Sequence, residues 1–84
     1  MAEDVEAAVL AHPDVARLDG AIASYLPGRR VDGVRVGDRV ELAVVLRPDR
    51  PVGEVVSELR ALVAGVAGAA PVDVVVADLE WECT

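Results

Sequence analysis

The chain of 84 residues contains no phenylalanine, no lysine, no asparagine and no glutamine, and its only aromatic residues are Tyr25 and Trp81. Each absence excludes something. A nucleic-acid reader of the kind that stacks bases on exposed sheet aromatics needs more rings than two. A phosphate-binding loop needs its lysine, and no glycine cluster here opens a helix after a strand. A single cysteine, Cys83, permits no intrachain disulfide, which suits a reducing compartment. A zinc site needs three or four Cys or His ligands, and the chain holds His12 and Cys83 only. The longest charge-free stretch, residues 61–72, is interrupted by Gly65, Gly68 and Pro71 and is too short to cross a bilayer. The first residues are acidic where a secretory signal would be basic, so a cytoplasmic protein is expected.

What is present is valine and alanine. The chain is 54% hydrophobic, carried by 18 valines and 14 alanines with eight leucines and one isoleucine. Such β-branched content argues for a folded domain rather than disorder. A chain this short buries only about 60% of its unfolded surface, so one small domain is expected, spanning residues 1–79 with a loose acidic tail at 80–84. The formal charge is −7 and is unevenly placed. Residues 1–16 carry four acids and no base, 17–50 carry seven arginines against five acids, and 51–84 carry one arginine against six acids. The overall field repels nucleic acid and anionic lipid, while Arg29, Arg30 and Arg35 form the one basic cluster.

Residues 3–12 read as a short amphipathic helix, with acids in the first turn and Val5, Ala8 and Val9 on one side, stopped by Pro13. Residues 15–19 and 21–26 are short strands about an Asp19-Gly20 turn, and Pro27-Gly28 marks a type II turn. Val34–Val36 and Val40–Leu46 flank Gly37-Asp38-Arg39. A two-residue loop there would set Val34 against Glu41 and mix the faces. A three-residue loop pairs Val36 with Val40, Val34 with Leu42 and Arg35 with Glu41, which separates apolar from charged, and is the register expected. Pro51 suits the first position of a helix in which Val52, Val55, Val56, Leu59, Leu62, Val63 and Val66 share one face. Pro71 closes it, and residues 72–79 form a last strand, parallel to 40–46 through a right-handed crossover. The expected fold is α+β, a two-layer sandwich of order α-β-β-β-β-α-β, with the helices on one face of a mixed sheet. Its other face is not fully polar, and Val45 with Val75 would form an exposed apolar patch there.

Catalysis has little to work with. His12 stands at a helix C-terminus, where capping is the expected role. Ser24 and Ser57 lie within regular elements rather than on a nucleophile elbow, and Cys83 sits beside Glu82, which disfavours a thiolate. No catalytic residue, cofactor or metal is expected. Gly65-Val66-Ala67-Gly68 spells a GXXG loop but carries no base, and so reads as composition.

Ala11-His12-Pro13 with Val15-Ala16-Arg17-Leu18, then Tyr25-Leu26-Pro27-Gly28-Arg29-Arg30-Val31, Gly33-Val34-Arg35-Val36, a valine-rich strand, a helix containing Glu-Val and Val72-Asp73-Val74, resembles the alkaline-shock-protein/Gls family. These are small envelope-stress-response proteins of Gram-positive bacteria, and the arginine-rich, lysine-free version is similar to an actinobacterial member. The likeness runs from about Val5 to Leu79, and Asp19–Ser24 departs from it by lacking a glycine-rich stretch. The resemblance implies a non-enzymatic cytoplasmic protein that self-associates and is held near the membrane by a separate anchored partner. Tyr25, Arg29, Arg30, Arg35, Val45 and Val75 are the expected partner-contacting residues. The alternative is a small nucleic-acid-binding module using Arg29, Arg30 and Arg35.

Overall fold

The computed structural model describes residues 1–68 and 70–81. Two helices and six strands follow in the order α1 (Ala2–Leu10), β1 (Val15–Leu18), β2 (Ala23–Leu26), β3 (Arg29–Asp32), β4 (Val34–Val36), β5 (Val40–Leu46), α2 (Val52–Ala67) and β6 (Val72–Leu79). The fold is α+β with a mixed sheet, and the expected order holds with one further strand, β3. Among the described residues no helix is long and apolar enough to cross a membrane.

β5 organises the molecule. Along one edge it pairs in parallel with β6 over its whole length, from Val40↔Val72 to Leu46↔Leu79. Its other edge is shared by two antiparallel strands. β4 takes the first half with Val36↔Val40, Arg35↔Glu41 and Val34↔Leu42, which is the register of the three-residue loop. β1 takes the second half, from Leu18↔Val44 to Val15↔Leu46. Between them stands Ala43, whose carbonyl accepts the Asp19 N–H (2.8 Å) and whose N–H donates to the Gly33 carbonyl (2.9 Å). β1 and β4 are therefore two halves of one interrupted strand, and residues 19–33 are an excursion from it.

That excursion is the β2–β3 hairpin, a two-stranded sheet from Ala23↔Asp32 to Leu26↔Arg29. The expectation that 15–19 and 21–26 face each other about Asp19-Gly20 is corrected here. The turn exists, because Asp19 Oδ2 accepts the Ala21 N–H, but the strands it joins pair elsewhere. Pro27-Gly28 makes the hairpin turn, with Gly28 at φ +73°. The hairpin docks by Val31, which is buried in the same core as Val5 and Val9 of α1.

Both helices cover one face of the sheet. Val5, Val9, Val55, Leu59 and Val63 meet Val34, Val40, Leu42, Val44 and Leu46 in one apolar cluster. α2 begins one residue later than expected: Pro51 is its N-cap, with ψ 131°, and its carbonyl accepts the Glu54 and Val55 N–H groups. The apolar stripe of α2 is wider than the surface available to it. Val55, Leu59 and Val63 are buried, whereas Val52, Leu62 and Val66 stay exposed.

The opposite face differs from the expected open patch. Val75 is 50% exposed, but Val45 is 1% exposed. Val45 lies on the central strand between Arg17 of β1 and Asp78 of β6. Arg17 Nη1 reaches Glu80 Oε1 at 3.4 Å across β5, which carries the ion pair over Val45. Glu80 is itself tied down by its N–H to the Leu46 carbonyl (2.8 Å), while Cys83 lies outside the described residues.

The junction at Gly33 predicts a sharp stability contrast. A Cβ there would stand 2.5 Å from Leu18 Cβ and 2.8 Å from the Ala43 carbonyl oxygen, on a backbone at φ +78°. Gly33→Ala should cost roughly 2–4 kcal/mol in urea unfolding, from steric overlap and backbone strain together. Gly37→Ala, with open space around its position, should stay within about 0.5 kcal/mol.

Candidate functional site

Tyr25 and the arginines of the middle segment are placed by the β2–β3 hairpin. Strand alternation sends Val31 inward to the core, so its neighbours Arg30 and Asp32 point away from it, and the cross-strand partner of Arg30 is Tyr25. The ring of Tyr25 is 77% exposed, with the Arg30 guanidinium 5.6 Å from its centroid. Arg30 Nε lies 2.7 Å from Asp32 Oδ1 in an ion pair, and its Nη2 donates to the Gly20 carbonyl (3.1 Å). The guanidinium is thus fixed at both ends, and holds the ring by a cation–π contact.

The other two arginines are committed within the chain. Arg29 forks onto α1, with Nη1 to Glu3 (2.5 Å) and Nη2 to Glu6 (2.7 Å). Its guanidinium is raised above its ordinary pKa, first by the hydrogen bond to Glu6. Arg29 is therefore a brace between hairpin and helix rather than a free contact residue. Arg35 pairs with Glu41 (3.3 Å), its cross-strand neighbour. Of the six residues expected to meet a partner, Tyr25 and Arg30 are brought together on one exposed surface. Arg29 and Arg35 sit elsewhere in ion pairs, Val75 is on the far strand, and Val45 is covered.

A second cluster was not expected from the sequence. His12 lies just beyond α1, buried, and its Nδ1 accepts the Asp14 N–H (3.1 Å). With Nδ1 accepting, the neutral ring carries its proton on Nε2, which donates to Glu58 Oε1 (2.7 Å). Arg50 completes the set: Nη1 and Nη2 grip the two Glu58 oxygens at 2.9 and 2.5 Å, and Nη1 also reaches Asp14 Oδ2 at 3.2 Å. The cluster borders an open cleft of about 330 Å³ between the helices, walled by Ala8, Ala11 and Leu62. Both nitrogens of His12 are engaged, so neither lone pair nor proton is turned to a substrate. The arrangement ties the turn after α1, through His12 and Asp14, to Arg50 and to Glu58 of α2, and replaces the expected capping role of His12. Its members are up to 46 positions apart, and the only sequence signal is the four-residue spacing of Arg50, Glu54 and Glu58, the first of which precedes the N-cap of α2. Among the described residues no group of three or more His, Cys, Asp or Glu side chains is placed to hold a metal ion.

Comparison with protein-family models, with curated proteins and with solved structures finds no match to this chain.

Glu58 gives the cluster a pH signature. The hydrogen bonds from Arg50 above all, then that from His12, lower its pKa from 4.5 to about 2. Its contribution is present above the unfolded value and is lost as pH falls from about 4.5 towards 2. The urea midpoint of wild type should exceed that of Glu58→Gln at pH 6, and the gap should narrow steadily over that acid window. A gap that stays constant down to pH 2 would remove Glu58 from the linkage.

Proposed function

We propose that this chain is a non-catalytic scaffold or adaptor that works through protein–protein contacts, with the outward face of the β2–β3 hairpin as its contact surface. One observation carries the reading: Tyr25 is an exposed ring that is already oriented. An aromatic side chain held by Arg30 loses little freedom when a partner covers it, which is what makes such residues interface anchors. The buried side of the hairpin belongs to the core, so the surface is presented on a fixed support rather than on a loop.

The arginine pairing supports a protein partner over nucleic acid. Arg29, Arg30 and Arg35 each have a carboxylate within 3.3 Å, so a phosphate backbone would have to displace Glu3, Glu6, Asp32 or Glu41 in a chain of net charge −7. The occupied nitrogens of His12 favour a binding role over catalysis. The resemblance to the alkaline-shock-protein/Gls family supplies the biological setting: envelope stress in a Gram-positive cell, self-association, a cytoplasmic location, and membrane tethering through a separate anchored protein.

Light scattering at tens of micromolar, alongside a pull-down from the source organism's membrane fraction, tests both halves. Tyr25→Ala should weaken self-association and partner capture at least about tenfold. Its urea midpoint should match wild type, because the ring is exposed. A wild-type monomer at every concentration overturns self-association. Tight binding of an RNA pool, steeply salt-dependent and lost in Arg30→Ala/Arg35→Ala, would move the assignment to the nucleic-acid alternative.

A further inference from the structure

The free edge of β6 is a second surface, separate from the hairpin. Among the described residues β6 pairs with β5 on one side only. Val40 donates its N–H to the Pro71 carbonyl (2.8 Å), which fixes the phase of the ladder. By strand alternation Val72, Val74 and Val76 turn their N–H and C=O groups to the open edge. Beneath that edge the core is unfinished. Val72, Val74 and Val76 are half-buried, while their register partners Val40, Leu42 and Val44 are closed to solvent. Natural edge strands are commonly defended by lysine or by an internal proline. This chain has no lysine, Pro71 precedes the strand instead of interrupting it, and the defences that β6 does carry are a bulge at Ala77 and the carboxylates of Asp73 and Asp78.

Charge selects the occupant. On the face away from the helices, Asp73, Val75 and Asp78 lie beside Glu41, Ala43 and Val45, three alternate positions of β5, because a bulge at Ala77 returns Asp78 to that face. β6 carries two carboxylates and no cation, so a second copy of β6 would lay acid beside acid. A strand with cations at its first and fifth positions and an apolar residue at its third would match the row. The Arg39–Asp73 pair (2.5 Å) is half-exposed on both sides, and such pairs contribute little enough to be exchanged.

We propose that the β6 edge is a docking site for an extended basic segment of a partner protein, which adds to the sheet as a further strand with cations against Asp73 and Asp78 and an apolar side chain on Val75. Main-chain hydrogen bonds give such additions their affinity and alternate side chains their selectivity.

The test is amide exchange by NMR on the full chain with a capped peptide Ser-Lys-Ile-Val-Ile-Lys-Ser, and a control in which glutamate replaces lysine. Saturating lysine peptide should slow exchange at Val74 and Val76 at least tenfold, and the glutamate peptide should leave it unchanged. Asp78→Lys, with Val75→Lys as a second variant, should weaken binding at least about fivefold without moving the urea midpoint. Tyr25→Ala should bind the peptide as wild type does, which separates this edge from the hairpin surface. Absence of protection, equal protection by both peptides, or protection that grows with protein concentration alone would overturn the proposal, the last in favour of a second copy.

Discussion

The two hydrogen bonds of Ala43 are the constraint on which the rest of the structure depends. One residue in the middle of β5 accepts from Asp19 and donates to Gly33, and so fixes where the chain leaves the sheet and where it returns. A fifteen-residue excursion, residues 19–33, is closed at its base by one peptide unit on each side of a single residue. The closure is tight enough that Gly33 has room for no side chain. Because the base is fixed, the hairpin can reach α1 in only one way, with Val31 in the core and Arg29 on Glu3 and Glu6. The outward orientation of Tyr25 follows from those contacts by strand alternation. The exposed Tyr25 is thus positioned by an alanine and a glycine with no surface role of their own.

The uneven charge along the sequence acquires a structural meaning on the same frame. An acidic beginning, an arginine-rich middle and an acidic end become pairs between middle and ends. Arg29 holds Glu3 and Glu6, Arg50 holds Asp14 and Glu58, Arg39 holds Asp73, and Arg17 holds Glu80. Each exposed pair is worth little by itself. Together they connect elements distant in sequence: hairpin to α1, the β5–α2 connection to α2 and to the turn after α1, and β1 to the residue after β6. Arginine suits this work, since its planar fork can hold two oxygens or two carboxylates at once. Lysine could not have gripped Glu58 and Asp14 together in the same geometry.

The strands with clean parity were legible in the sequence, and the ones without it were not. Val34–Val36 against Val40–Leu46 had a single register that separated apolar from charged side chains, and that register forms. The parallel pairing of residues 40–46 with 72–79 followed from the helix between them. β3 escaped notice because three of its four residues are charged and its one apolar residue, Val31, has no alternating neighbour to mark it. The partner of residues 15–18 was misjudged because Asp19-Gly20 is a genuine turn, and a turn reports a change of direction without saying which strand lies alongside. Val45 was expected on the surface because periodicity sees only local alternation. The ion pair that covers it joins residues 63 positions apart. The His12 cluster was hidden for the same reason, and its nearest local hint, the spacing of Arg50, Glu54 and Glu58, begins before the N-cap of α2.

A valine and alanine core has a further consequence for recognition. Small side chains make thin layers, and the molecule measures 40 × 28 × 18 Å along its principal axes. Such a shape has too little interior for a chain that is 54% hydrophobic, so apolar groups surface in several places: Leu10 on α1, Val52, Leu62 and Val66 on α2, Val75 on β6 and Tyr25 on the hairpin. They lie on four different elements, three of them on α2. Recognition by sheer apolar area needs a contiguous patch of several hundred square ångströms. Under the proposed adaptor role, specificity would come from features with defined geometry. Two qualify: a ring oriented by a guanidinium, and a strand edge with open hydrogen-bonding groups beside a spaced pair of carboxylates. Both are built from backbone positions that the β5 ladder fixes directly or through the Ala43 junction, so a change at that junction would disturb the hairpin surface more than the β6 edge.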